Sequence, residues 1–477
     1  MPHPLEEILH PRSIAIVGAS TNPYSWGYSF TCHLLEYGYK GDIYPVNPKY
    51  DEILGLKSYP NLRDIPGHVD YVISCVPASG ALDMLEDCAA KGVKGVHLYT
   101  ARFSETGRPE AAELEQAVLA QAKKTGIRLI GPNCMGLYAP GEGIAFAYDL
   151  PKSSGPVGYI SQSGGGAALF VHIAAMRGIG FSSVISYGNG LDLNESDYLD
   201  YFSRDPDTEI ILMYVEGVKD GPRFFRSLKH AAATKPVIIV KGGRGRSGAQ
   251  ATASHTASLA GSMDTWEGAI GQAGAVSARN YDEMADLATL FRFLAPIRGV
   301  RVGIYGGGGG PSVLAADECE EAGLDVIPIP KAIRNELKTR APEIWDWIGN
   351  PIDLSILPGA SFTGIDMLRL MAEDPHFDFL IGQLTEVPLA TREGTVMRSM
   401  GEIQEYVDIR DKAKKPLLVV LGEKSLATAD YDHWRWKLTG DVRTELLAAG
   451  IPFLPSMKRA AEGVKKVIDY YQRRENL

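Results

Sequence analysis

The chain has 477 residues, of which 45% are hydrophobic, and this length accommodates about three globular domains. Its formal charge of −10 argues against a nucleic acid or an anionic membrane as the main partner, because both require a net basic surface. The five cysteines lack Cys-x-x-Cys spacing, and no targeting or membrane-length apolar segment occurs. We therefore expect a cytoplasmic protein without disulfides, a metal site or a membrane anchor.

Three glycine-rich turns recur along the chain. Each time an apolar, β-branched run ends in glycines and small polar residues and passes into a helical pattern; the runs are residues 13–17, 157–160 and 302–305. Each pattern predicts a strand, a tight turn and a helix with backbone amides at its N-terminus. The sequence thus predicts an α/β fold with three doubly wound domains, at residues 1–150, 151–295 and 296–477.

Further apolar runs alternate with helical stretches, as in βαβ units. The other predicted strands are residues 41–44, 70–74, 95–98, 128–130, 182–186, 210–215, 236–241, 379–384 and 416–421. The clearest predicted helices are residues 81–91, 110–124 and 281–294 and an amphipathic helix at 459–473.

The first domain carries part of a dinucleotide-binding fingerprint. After Gly18, which precedes Ala19 and Ser20, no second glycine follows two residues on, and no acidic residue closes the second strand. That strand instead leads to Asn47 and Lys49, which favours a ligand with extra phosphate, such as coenzyme A (CoA) with its 3′-phosphate. The alternative is a simple turn with a solvated lysine.

Two later loops belong to the same predicted edge of the sheet. Val76 and Pro77 follow one strand, and Asn133 follows the last strand in a Gly-Pro turn that brings its amide close to any ligand above the sheet. Cys134 has no histidine near it in sequence, and we interpret it as a buried structural thiol rather than a nucleophile.

The best candidate for phosphate binding is the segment Ser161, Gln162, Ser163, Gly164 and Gly165. Hydroxyls and glycines at the start of a helix supply hydrogen-bond donors with little steric hindrance. No Gly-Lys-Ser/Thr follows, so this is not a Walker A loop. We expect it to hold a small phosphoryl group rather than a triphosphate tail.

A histidine and a glutamate complete a set of catalytic candidates. His255 lies in a run of small residues, 247–261, where no apolar periodicity draws it into a core. Glu216 ends the strand at 210–215, where its carboxylate can accept a hydrogen bond from an imidazole N–H. Each alone is explained as well by a solvated side chain. Together with the glycine-rich loop, they predict the nucleophile, orienting carboxylate and anion site of histidine phosphorylation.

Ten segments occur in an order typical of one family. They are Ile16-Val17-Gly18-Ala19-Ser20, Pro45-Val46-Asn47-Pro48, Val76-Pro77-Ala78, Phe103-Ser104-Glu105, Gly131-Pro132-Asn133-Cys134, Ser161-Gln162-Ser163-Gly164-Gly165, Tyr214-Val215-Glu216-Gly217, Ser254-His255-Thr256, Gly349-Asn350-Pro351-Ile352-Asp353-Leu354 and Gly450-Ile451-Pro452-Phe453. With them the chain resembles, over nearly its whole length, the α subunit of the NDP-forming acyl-CoA synthetases. This succinyl-CoA ligase superfamily includes ADP-forming acetate–CoA ligase.

The resemblance implies a Rossmann-like CoA-binding domain followed by two flavodoxin-like ligase domains. It implies that His255 is transiently phosphorylated, that Glu216 is its partner and that residues 161–165 bind the phosphate. In this family CoA attacks an acyl phosphate, and the histidine carries phosphoryl to and from a nucleotide on an ATP-grasp domain. Because the third predicted domain runs to the last residue, we expect an ATP-grasp β subunit that holds ATP or ADP and Mg²⁺, in an oligomer.

Two segments depart from the family pattern. One is Thr100-Ala101-Arg102-Phe103, where relatives commonly have a Ser-Gly pair, and the other is residues 306–310.

Two functions remain open: an ADP-forming acid–thiol ligase that acts reversibly on a carboxylic acid, and a CoA-binding regulatory or assembly protein without that activity. The missing acidic residue disfavours an NAD-dependent oxidoreductase. A pocket for a bulky acid and ordinary packing explain four aromatic residues equally well: Tyr24, Trp26, Phe146 and Tyr148.

Overall fold

The computed structural model describes residues 3–248, 250, 262–354, 362–384, 391–422, 430 and 432–475. The chain divides into two units, Met1–Met284 and Ala285–Leu477. Two of its large sheets lie in the first unit and one in the second. His255 falls outside the described residues.

The first sheet is built from the apolar runs of the N-terminal part. Its region contains β1 (Ser13–Val17), β2 (Asp42–Val46), the short pair β3 (Glu52–Ile53) and β4 (Leu56–Lys57), β5 (Tyr71–Ser74), β6 (Gly95–Leu98) and β7 (Arg128–Ile130), with helices α1 (Glu6–Leu9), α2 (Trp26–Tyr37), α3 (Ala81–Lys91) and α4 (Pro109–Thr125). The order is β2-β1-β5-β6-β7, all parallel. The direction of winding reverses between β1 and β5, where ligands bind in such sheets.

The start of α2 packs directly on the turn that follows β1. A Cβ atom on Gly27 would lie 2.0 Å from the Gly18 carbonyl oxygen and 2.9 Å from the Ala19 Cα. Both neighbours are backbone atoms, so no side-chain rotation relieves the clash. Only glycine allows this approach, which fixes the turn against the helix.

We expect Gly27→Ala to lower the free energy of unfolding of the first unit by about 2–4 kcal/mol because the helix must shift away from the turn. Urea denaturation measures this loss. Gly268→Ala is the matched control, because Gly268 also lies within a helix and a Cβ atom there would have no neighbour within 4 Å. An equal loss in both variants would contradict the packing argument.

The second sheet contains five parallel strands and one antiparallel edge strand. Its region contains β8 (Gly136–Tyr138), β9 (Ser154–Ser161), β10 (Phe181–Ser186), β11 (Ile210–Val215), β12 (Val237–Lys241) and β13 (Val276–Ala278), with helices α5 (Gly164–Ala175), α6 (Glu195–Arg204), α7 (Gly221–Thr234), α8 (Met263–Ala273) and α9 (Tyr281–Phe293). The order is β13-β12-β11-β9-β10-β8, in which β8 pairs antiparallel with β10. Here the winding reverses at β9, so the turn into α5 occupies the predicted ligand crevice.

The second unit has its own parallel sheet and core. Its elements are β14 (Val302–Tyr305), β15 (Phe379–Gln383), β16 (Leu417–Val420) and β17 (Phe453–Leu454), with helices α10 (Gly309–Glu321), α11 (Lys331–Arg340), α12 (Gly364–Glu373), α13 (Arg392–Ala413), α14 (Trp434–Ala448) and α15 (Met457–Glu475). The strands follow one another in sequence order. The apolar face of α15 is buried, and Arg459 forms an ion pair with the buried Asp286 at 2.5 Å.

The expected α/β class is confirmed, and every strand and helix predicted above is present with ends that differ by at most three residues. The division into three domains with limits at 150 and 295 stays a prediction. Among the described helices, none combines the length and hydropathy that a membrane span requires.

Candidate functional site

The turn after β1 lies at the carboxyl edge of the first sheet. Gly18 has a φ of +88°, and its amide donates to the Val46 carbonyl. The Asn47 amide group donates to the Ala19 carbonyl at 2.7 Å, so this side chain holds the turn in place. The structure therefore brings together four predicted CoA-site residues: Gly18, Ala19, Ser20 and Asn47.

Other predicted CoA-site residues lie along the same edge. Lys49 is exposed, and its backbone amide donates to Asn47 Oδ1. Val76 and Pro77 follow β5, the neighbour of β1, and the Thr100 hydroxyl donates to the Val76 carbonyl at 2.5 Å. This contact links the loop after β5 to the loop after β6.

A cavity of about 360 Å³ in the first unit joins loops from both of its large sheets. Its lining comes from residues 99–101 after β6, 133–135 after β7, 162–165 after β9, and 188–189 after β10. Asn133, predicted for CoA binding, therefore faces the same space as Ser163, Gly164 and Gly165, predicted for phosphate binding. The volume suits a small acyl or phosphoryl group together with one end of a larger ligand.

The two serine hydroxyls at the start of α5 have different roles. The buried Ser161 hydroxyl donates to the Ser163 carbonyl at 2.8 Å, and Ser163 Oγ accepts from the Gly166 amide at 3.1 Å as the helix N-cap. The amides of Gly164 and Gly165 precede the first intrahelical hydrogen bond. These two amides and the Ser163 hydroxyl, which accepts from Gly166 but keeps its own proton, are the donors that the helix start offers to an anion.

Gln162 connects this helix start to Glu216. Its side chain is 7% exposed, and Oε1 accepts from the amides of Glu216 at 2.7 Å and Gly217 at 3.1 Å. Gln162 therefore fixes the end of β11 against the turn before α5. It has this structural role and also lines the cavity.

Glu216 is buried, with 6% of its surface exposed. Its Oε1 accepts a hydrogen bond from the Tyr214 hydroxyl at 3.2 Å, whereas Oε2 has no partner in the part of the chain that the structure describes. A buried acceptor without a partner costs about 1–3 kcal/mol. The alternative of a solvated strand-end glutamate is therefore excluded, and Oε2 remains available to a donor.

Two residues shortly before the His255 segment contact Glu216. Gly242 packs on it, since a Cβ there would lie 3.2 Å from Glu216 Cγ. The buried Lys241 donates to the Glu216 carbonyl at 2.6 Å and lies 5.8 Å from the ring centroid of Trp266. Burial lowers the pKa of this lysine, and the Glu216 charge partly offsets the effect.

Sequence reasoning did not select Tyr214 or Asn189. Tyr214 stands two residues before Glu216, and the alternation of side chains along a strand places both on the same face. This spacing could have identified Tyr214 from the sequence. Asn189 donates to Glu105 Oε2 at 2.7 Å, and Asn133 donates to Asn189 Oδ1 at 3.4 Å. No local pattern indicates these contacts, because their partners are 84 and 56 residues apart in sequence.

The remaining candidates fall outside the site chemistry. Cys134 is buried, as expected for a structural thiol, and burial raises its pKa. Phe146 is in the core, while Tyr24, Trp26 and Tyr148 are exposed, and none of the four lines the cavity. Within the described ranges, no cluster of three His, Cys, Asp or Glu side chains is arranged to hold a metal ion.

Comparison with known families identifies two domains. A CoA binding domain model matches residues 12–140, and a model of the succinyl-CoA ligase like flavodoxin domain matches residues 154–291. The Rossmann-like and flavodoxin-like topologies expected for the first unit are thereby confirmed.

Known proteins extend this likeness over the whole chain. The α subunit of acetate–CoA ligase [ADP-forming] II from Pyrococcus furiosus is 39% identical, over 79% of this chain and 81% of the relative. The acetate–CoA ligase [ADP-forming] of Methanocaldococcus jannaschii is 40% identical over 73% of this chain, which spans about half of that relative (49%). A dinucleotide forming acetyl-coenzyme A synthetase 1 from Ca. Korarchaeum cryptofilum, solved with phosphate and ADP, matches with a TM-score of 0.83 and 30% identity, covering 99% of this chain and 97% of that one.

Proposed function

This chain belongs to the NDP-forming acyl-CoA synthetases, the family of the ADP-forming acetate–CoA ligases, and we propose that it is the α subunit of such an enzyme. It acts as an acid–thiol ligase in the cytoplasm: a carboxylic acid, CoA and ATP are converted reversibly into acyl-CoA, ADP and phosphate. The domain limits at 150 and 295 and the residue roles below are part of this proposal.

His255 carries the phosphoryl group in the proposed mechanism. A neutral imidazole is basic enough near pH 7 to attack the γ-phosphorus of ATP, which breaks the bond to the β-phosphate oxygen and releases ADP. The carboxylate of the acid then attacks the phosphohistidine and displaces the imidazole. This displacement forms an acyl phosphate and restores the histidine. The CoA thiolate then attacks the acyl carbon and releases inorganic phosphate, so all groups balance.

The Glu216 carboxylate orients the imidazole. Its Oε1 is held by Tyr214, and the partnerless Oε2 accepts the N–H of one ring nitrogen, which leaves the other nitrogen free to attack. The same carboxylate stabilises the positive charge of the ring after phosphorylation. This buried oxygen, which has no partner within the described ranges and belongs to a side chain packed against Gly242, shortly before the His255 segment, is the observation that carries the proposal.

The Gly164 and Gly165 amides hold the anionic oxygens of the phosphoryl group at the start of α5. The edge of the first sheet, with Gly18, Asn47 and Lys49, holds CoA, whose thiol end reaches the cavity beside Asn133. An ATP-grasp β subunit supplies the site for ATP or ADP and Mg²⁺ in an oligomer. Support for this partner comes from the name of the P. furiosus relative as a subunit alpha.

Phosphorylation of the chain by acyl-CoA tests this function without a partner. The full chain is incubated with radiolabelled inorganic phosphate and each member of an acyl-CoA panel, beginning with acetyl-CoA. We expect CoA release and an acid-labile, alkali-stable label on the protein, and the most effective acyl-CoA identifies the acid. Tight CoA binding without label for every acyl-CoA would instead indicate a regulatory CoA-binding protein.

A further inference from the structure

Arg102 adopts a backbone conformation that long side chains rarely occupy. Its φ is +82°, in the left-handed region. This region is unfavourable for a residue with a Cβ atom, whereas glycine adopts it freely. Arg102 lies in the loop between β6 and α4, directly after the residues 99–101 that line the cavity, at the carboxyl edge of the first sheet. Strain of this kind is concentrated at binding sites.

The surrounding contacts force this conformation. Glu105 Oε1 accepts hydrogen bonds from the amides of both Arg102 and Phe103, and the Phe103 side chain is 1% exposed. Glu105 Oε2 accepts from Asn189, and Thr100 is tied to the loop after β5. The turn is therefore held on both sides, and the strain persists because the anchors outweigh it.

The Arg102 side chain itself is exposed and forms no hydrogen bond or ion pair with any described residue. Residues 99–101 line the cavity, but Arg102 does not. The loop thus presents a guanidinium just outside the cavity, on a chain whose formal net charge is −10. An exposed cation that lies on a strained backbone and has no partner in the part of the chain that the structure describes is suited to an anionic ligand.

We propose that Arg102 binds a phosphate group of CoA, an inference that rests on the proposed CoA chemistry of this site. The reacting end of CoA must enter the cavity, whereas its phosphates stay outside, on the side where the guanidinium lies. The substrate carboxylate is a less suitable ligand for Arg102, because it must react with the phosphohistidine and therefore cannot stay bound at the exposed loop. A guanidinium also matches two phosphate oxygens at once through its planar fork of N–H donors.

Three substitutions separate the side chain from the backbone strain. Arg102→Ala removes the charge and keeps the Cβ atom, whereas Arg102→Gly removes the charge and the Cβ atom. Arg102→Lys keeps the charge but lacks the planar pair of N–H donors. We expect the Kd for CoA to rise about three- to tenfold in the Ala and Gly variants and less in the Lys variant. We expect the melting temperature to rise by about 1–3 °C in the Gly variant alone. Titration calorimetry and scanning calorimetry on the full chain measure these two quantities.

Lys414→Gly is the matched control, because Lys414 also has a positive φ (+52°) and ends α13 in the second unit. It should raise stability in the same way and leave CoA binding unchanged. Dephospho-CoA assigns the group: an effect confined to CoA identifies the 3′-phosphate, and an equal effect on both identifies the pyrophosphate. Unchanged Kd values in both the Ala and Gly variants would overturn the role of Arg102, whereas wild-type protein that binds no CoA would refute the proposed function itself.

Discussion

Replacing His255 by alanine is expected to abolish the acid-labile, alkali-stable label that acyl-CoA and phosphate introduce. No other group in the proposed mechanism forms a P–N bond, so the loss should be complete rather than partial. CoA binding should persist, because the proposed CoA-site residues lie in the loops at the carboxyl edge of the first sheet. The label is measured after gel filtration and alkaline treatment, and CoA affinity by titration calorimetry on the same preparation.

His230→Ala is the control for this experiment. His230 is an exposed histidine on α7, in the same unit, and no role is assigned to it. Its variant should be labelled like the wild type. Label that survives in the His255 variant, or disappears equally in both, would refute the assignment of the phosphoryl carrier.

Replacing Glu216 by glutamine is expected to slow phosphorylation about 100- to 1,000-fold, the usual cost of losing one oriented electrostatic contact in an active site. Glutamine keeps the volume and can still accept from the Tyr214 hydroxyl, but it lacks the charge that stabilises an imidazolium. The fold should therefore be retained while the reaction slows. Rapid-quench measurement of the labelled protein gives the rate.

Glu195→Gln controls for the loss of a buried carboxyl group. Glu195 is 4% exposed in the same unit, at the start of α6, and burial raises its pKa. It has no place in the proposed reaction, so its phosphorylation rate should stay near that of the wild type. Equal slowing of the two variants would mean that Glu216 acts through stability and not through the histidine.

The strands were readable from sequence because each is a local run of apolar, β-branched residues. A strand buried on both faces, such as β5 or β6, needs no knowledge of its neighbours to be recognised. The edge strands β8 and β13 were not predicted. Each has three residues, Gly136–Tyr138 and Val276–Ala278, which is too short for a periodic pattern, and each exists only because a neighbouring strand supplies hydrogen bonds.

The anion site shows the limit of motif reasoning most clearly. The sequence marked residues 161–165 as donors, and the structure puts the start of α5 beside the cavity. It also shows that the Ser161 hydroxyl and the Gln162 side chain are engaged with the Ser163 carbonyl and the end of β11. A motif gives the residue types, but the hydrogen bonds of Gln162 depend on partners 54 and 55 residues away in sequence.

The fold class and the family were predictable from the amino-acid sequence, because they depend on local composition and on the order of motifs. The reactive residues that the same motifs indicate stay a prediction. Only the tertiary structure shows that Asn133 faces the same cavity as Ser163, that Glu216 is buried with one oxygen lacking a partner among the described residues, and that Arg102 is strained and exposed. These properties depend on which distant segments meet, and a local pattern does not encode contacts, burial or backbone strain.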